Sequence, residues 1–205
     1  MKMLKRISLL SLIILALVSS CVVPSLYPLY TRKDLITNSQ LEGLWVGNES
    51  ENERSTWKIW KSAPNENNPE KSNNDKRYYL EHIQHGETVI FELFLLKLGD
   101  KLYLDFFPVD FASYKFENYM GATHIFPVHT FAKVELENGQ ISIYGFDGEF
   151  LEDLIEQNRI KISHEEPSGS LLLTASPEEL QKFVLKYSDD KNAFADEPLI
   201  LKPKV

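Results

Sequence analysis

The chain has a single cysteine, Cys21, only nine glycines in 205 residues, and never more than two adjacent cations. One thiol cannot make an intramolecular disulfide, so stability has to come from a buried core. None of the glycines sits in a phosphate-cradling G-x-x-x-x-G-K-S/T loop or a G-x-G-x-x-G turn, and G-x-S-x-G and H-E-x-x-H are equally missing. Familiar nucleotide-binding, α/β-hydrolase and zinc-protease signatures are therefore absent. No apolar run is long enough to span about 30 Å of hydrocarbon as a helix, which takes roughly 20 residues. The longest, 7–18, has 12 residues and includes Ser8 and Ser11.

What is present begins with an address. Lys2, Lys5 and Arg6 precede the short apolar stretch, and Ser19 and Ser20 follow it. A basic start, a short apolar middle and small residues before a cut site describe a secretory signal over residues 1–20. Val18-Ser19-Ser20-Cys21 resembles the lipobox of bacterial lipoproteins: an aliphatic residue, two small ones, then the modified cysteine. The resemblance implies diacylglyceryl attachment to the Cys21 sulfur, cleavage before it, and fatty acylation (palmitate or similar) of the new amino terminus. Several acyl chains, at about 0.8 kcal/mol per buried CH₂, make an anchor that does not readily leave a bilayer. Position 22 is Val rather than Asp. By that family's sorting pattern nothing retains the protein in an inner membrane, so the expected location is the cell envelope, at the outer membrane.

Cleavage would leave 185 residues with 19 cations against 30 acids, a net charge of −11. Nucleic-acid binding rests on neutralising phosphates with Lys and Arg, so this balance argues against it. Residues 21–40 read as the lipidated start and a tether, and 41–205 as one domain. The tether holds Pro24, Pro28 and the near-repeat Ser25-Leu26-Tyr27-Pro28-Leu29-Tyr30. Fully extended, 22–40 would reach roughly 60 Å. Its Leu and Tyr side chains are costly to leave in water, so they either pack on the domain or sit at the headgroup level.

Nine short aromatic or β-branched runs read as strands: 41–46, 55–60, 78–83, 88–98, 101–107, 128–136, 140–144, 159–163 and 170–174. Gly99-Asp100 and Asn138-Gly139 mark tight hairpins. Two helices are expected in the C-terminal third. Ser176-Pro177-Glu178-Glu179 is a capping box with proline at the first helical position, followed by Leu180, Phe183, Val184 and Tyr187 at helical spacing, which predicts a helix over 176–187. A shorter one over 147–157 carries Phe150, Leu151, Leu154 and Ile155. The fold class is mostly β, an antiparallel barrel or sandwich with two short helices. Residues 62–77, rich in Asn, Glu, Pro and Lys, form a solvated loop.

The polar residues do not gather into a recognisable reaction centre. His82 and His85 point to opposite faces of an extended strand, as do His124 and His129. A metal site would require ligands from separate strands, with carboxylates such as Asp105 or Asp110. The late acids Asp189, Asp190, Asp196 and Glu197 lack the alternation and central glycine of an EF-hand loop. No catalytic residue, metal or cofactor is therefore assigned. The richest feature is aromatic: residues 108–120 hold Phe111, Tyr114, Phe116 and Tyr119 after Phe106 and Phe107. Such a segment either lids an apolar cavity, its tyrosines offering polar handles to a ligand, or plugs the core.

Leu41-Glu42-Gly43-Leu44-Trp45 is similar to the G-x-W motif that opens the first strand of lipocalins. The resemblance implies a barrel whose floor Trp45 closes, beneath a basic side chain from the last strand, for which Lys202 and Lys204 are the candidates. The family's other motifs are missing, and two helices stand near the end instead of one. The leading expectation is a noncatalytic, membrane-anchored carrier holding a small apolar or amphipathic ligand, a lipid included, in a β-barrel. An interaction module docking to another envelope protein is the second, and an envelope hydrolase the third.

Overall fold

The computed structural model describes residues 23–50, 53–61, 76–109 and 125–204. Eight strands form a closed antiparallel barrel: β1 (Gly43–Ser50), β2 (Glu53–Lys61), β3 (Arg77–Gln84), β4 (Glu87–Leu98), β5 (Lys101–Pro108), β6 (Thr130–Glu137), β7 (Gln140–Gly145) and β10 (Leu199–Pro203). The first seven pair in chain order, and β10 inserts between β7 and β1 to close the ring. Closure removes the unpaired edges that an open sheet would expose. The turns obey local chemistry. His85-Gly86 and Asn138-Gly139 both hold two consecutive residues at positive φ (52° and 83°; 53° and 74°), the conformation that tight hairpins prefer.

Two of the expected runs are placed differently. Residues 159–163 are not a strand, because that stretch is the descent from the first helix. The small pair lies just beyond it, as β8 (His164–Glu165) with β9 (Leu172–Leu173), outside the barrel. β10 was not anticipated, being only five residues long and ending in proline. Both helices are present, α1 (Gly148–Glu156) capped by Asp147 and α2 (Pro177–Tyr187) capped by Ser176. The capping box is only half reciprocal. Ser176 Oγ accepts from the Glu179 N–H, but the Glu179 carboxylate accepts from the N–H and hydroxyl of Ser163 instead of turning back.

Strand alternation divides the apolar residues into two cores. Inside the barrel lie Trp45, Trp57, Ile59, Tyr78, Leu80, Leu93, Leu95, Leu104, Val134, Ile141 and Leu201, with Leu41 beneath them. Outside it, Phe94, Leu96, Tyr103 and Phe131 meet α1, α2 and the start of the chain. β4 is thus buried on both faces from Leu93 to Leu96, which explains its unbroken apolar run.

The barrel has a floor, where β1 begins, and a rim, where β1 and β5 end and β6 begins. Leu41 is fully buried at the floor, and its carbonyl accepts from Trp45 Nε1 at 3.1 Å. The Tyr78 hydroxyl both accepts from the N–H of Asn38 and donates to its carbonyl, tying the floor segment down. Gly43 sits at φ +146°, and a Cβ there would lie 3.4 Å from the Trp45 indole nitrogen, so the glycine serves both backbone and ring. Lys202 does not cap Trp45. It pairs with Val46, alternates with the buried Leu201, and faces solvent, correcting the role expected of it.

Residues 23–40 run down the outside of the barrel from rim to floor. Ser25 and His129 exchange two backbone hydrogen bonds at 2.8 Å, Pro24 and Leu26 bond to Leu173, and Ile36 donates to Leu95. Val23 and Leu29 are 5% and 0% exposed. Burying each contributes about 1.5–3 kcal/mol, so this segment is an outer stave of the domain. Tyr27 remains half exposed.

Candidate functional site

Along the barrel axis the interior changes character. In the floor half, Leu41, Tyr78, Leu80, Leu93, Leu95 and Leu104 are at most 1% exposed, leaving that half filled. Toward the rim, alternation aims Trp57 and Ser55 from β2, His82 from β3, Val89 and Phe91 from β4, Phe106 from β5, Thr130 from β6 and Leu199 from β10 at the axis. Trp57 forms the base of this upper part. Its indole N–H donates to Ser55 Oγ at 2.8 Å, which satisfies a buried donor and fixes the ring. His82 meets it edge-on at 5.0 Å and Phe106 at 6.2 Å, and Phe91 meets Phe106 at 6.3 Å, all close to perpendicular. His82, Phe91, Phe106, Val89, Thr130 and Leu199 are only half-buried. An end presenting aromatic rings with an imidazole and hydroxyls is suited to an apolar body with a polar end.

The aromatic segment singled out above connects to this end, since β5 finishes at Pro108 and His129 precedes β6 there. Phe111, Tyr114, Phe116 and Tyr119 themselves lie outside the described residues, as do Cys21 and His124. Most of the 62–77 loop lies outside them too. The rim residues Trp57, His82, Phe91 and Phe106 were legible only as strand residues. Their convergence depends on which face of each strand turns inward.

A second polar constellation lies under the outer layer. Asp105 is 0% exposed; its Oδ1 is 2.7 Å from His129 Nδ1 and its Oδ2 accepts from the Leu29 N–H at 2.8 Å. Phe107 stacks on the imidazole at 4.5 Å. Burial pushes the Asp105 carboxyl above its ordinary value, against the hydrogen bonds from His129 and Leu29 that favour its charged form. Asp105 pairs with Phe131, so His129, two residues earlier on the same face, is its diagonal neighbour across β5 and β6. The nearby Ser25 hydroxyl donates to the Tyr27 carbonyl rather than to the imidazole. With both carboxylate oxygens engaged and Ser25 fully buried, the couple clamps the N-terminal stave. No three His, Asp or Glu side chains among the described residues converge as metal ligands.

Comparison with known proteins finds no matching family model, no matching curated protein and no matching solved structure.

Proposed function

We propose that this protein is a noncatalytic lipoprotein of the cell envelope, anchored through Cys21, that binds a small apolar or amphipathic ligand at the rim of its barrel in the manner of lipocalins. The observation that carries this reading is the contrast between the packed floor and the half-buried aromatic rim. A side chain such as Phe91 or Phe106, aimed inward yet left partly in water, is stabilised when a ligand covers it. The filled floor confines the ligand to the upper part of the barrel. The lipobox supplies the anchor, and the G-x-W start now stands on a closed eight-stranded barrel.

The second reading, docking to another envelope protein, is favoured by one surface. Among the described residues the outer layer does not extend over the outer face of β1 to β3, where Trp60 stacks on Tyr79 at 5.8 Å and Leu44 is 42% exposed. Titration of a fluorescent fatty acid into delipidated protein separates the two. Saturable binding is expected, weakened about tenfold by Phe91→Ser, which corresponds to roughly 1.4 kcal/mol of lost contact. Absence of saturable binding would leave docking as the better account.

A further inference from the structure

We infer that the rim of the barrel faces the bilayer, so that the ligand end opens onto the lipid surface that holds the anchor. The inference rests on acylation of Cys21 and deepens the binding reading by naming the ligand's source. A 19-residue leash would leave the domain free to tumble, but the structure shortens it to almost nothing. Val23 is buried in the outer core, and Pro24, Ser25 and Leu26 are fixed by backbone bonds to His129 and Leu173. Cys21 is two residues before Val23, within about 7 Å at 3.3–3.6 Å per residue. His129 immediately precedes β6, so the acyl chains must leave the protein at the rim end.

Three of the exposed apolar residues agree with that placement. Val109, Ile125 and Phe126 are 37%, 47% and 71% exposed, and they flank the rim ends of β5 and β6. Val109 is located there by its N–H, which donates to the Ile90 carbonyl at 3.0 Å. At the floor the exposed residues of the β4–β5 and β6–β7 turns are Gly99, Asp100, Glu137, Asn138 and Gly139, and the exposed apolar side chains toward that end, Leu44 of β1 and Leu185 beside Gly99, are each less exposed than Phe126. Near the rim the exposed acids Glu87, Asp196 and Glu197 stand against the exposed Arg54, so a contact there would be apolar and not an ionic grip on anionic lipid. A lipid could then pass from bilayer to rim without crossing open water, where its exposed chain is costly.

The test uses full-length protein expressed and acylated in a bacterial host. Once Cys21 is a thioether, one introduced cysteine is the only free thiol. Variants Thr88→Cys and Phe126→Cys at the rim, and Glu137→Cys at the floor, are labelled with an environment-sensitive fluorophore. Each is reconstituted into phosphatidylcholine vesicles carrying a nitroxide-labelled lipid, and the mass of the Cys21 peptide is measured on the same sample. The expected result is several-fold stronger quenching at 88 and 126 than at 137, unchanged by added salt. Equal quenching, or stronger quenching at 137, in protein whose Cys21 mass shows acylation would overturn the orientation while leaving the anchor intact. An unmodified Cys21 would overturn both, and the mass distinguishes the two failures.

Discussion

Replacing Asp105 by Ala removes two buried acceptors at once, and the consequences follow from the geometry. The Leu29 N–H, at 2.8 Å from Oδ2, loses its partner, and so does His129 Nδ1, at 2.7 Å from Oδ1. A buried donor left unsatisfied costs about 1–3 kcal/mol. Two of them would sum to about 2–6 kcal/mol, reduced because the variant no longer buries a carboxylate, whose desolvation is evident in its raised pKa. The net expectation is about 2–4 kcal/mol, or roughly 5–15 °C in Tm for a domain of this size. The damage should be local. Leu29 anchors the outer stave, so its amide should lose hydrogen-exchange protection before those of the floor strands do. Asp105→Asn retains one acceptor and should lose less. An Asp105→Ala protein with unchanged Tm and a still-protected Leu29 amide would refute the idea that the couple clamps the N-terminal segment.

The Asn variant also carries a pH signature. Because the folded Asp105 holds its proton more tightly than the unfolded chain does, wild-type stability falls as pH rises above 3.8 toward the raised folded value. The deficit of Asp105→Asn in urea unfolding should therefore shrink over that interval, and a deficit that widens would contradict the direction of the shift. Tyr103 is 1% exposed, its hydroxyl has no partner among the described residues, and its pKa is pushed up to about 12, chiefly by burial. Tyr103→Phe should match or exceed wild type by about 1 kcal/mol, whereas a marked loss in thermal denaturation would reveal a missed partner. Trp45→Ala should cost about 3–5 kcal/mol through lost contacts and a cavity at the floor; a melting temperature equal to wild type would mean that the ring seals nothing. Cys21→Ala should leave the precursor uncleaved and unable to take up radioactive fatty acid, and equal labelling of the two proteins would remove the anchor.

Much of the barrel was legible because its strands carry strong local signals. Asn138-Gly139, both at positive φ, and Gly99 at φ 63° mark turns through backbone conformations that few other residues adopt, and Ser176-Pro177 starts a helix with its own side chain and ring. β10 escaped because five residues ending in proline carry little period, and because what makes them a strand is the gap between β7 and β1. Lys202 was drawn to Trp45 by analogy, but register decides the face. Pairing with Val46 opposite an inward Trp45 turns the lysine outward.

The sequence by itself determined the properties that depend on neighbours in the chain: most strand and helix segments, turns and caps. It also narrowed the fold to an antiparallel barrel or sandwich, since alternating strands with apolar faces must cover each other, and closure of the barrel was left to the tertiary structure. Only the tertiary structure decided which of those faces met. Asp105 and His129 are 24 residues apart and come together through the β5–β6 register. Residues 23–40 could have been a leash or a stave. Their two-prolined, tyrosine-rich sequence is compatible with either, and the choice was made by an apolar outer sheet face that had to be covered and by the acceptors it presents to Ser25, Leu29 and Ile36. That packing, rather than any motif, sets Val23 beside the rim.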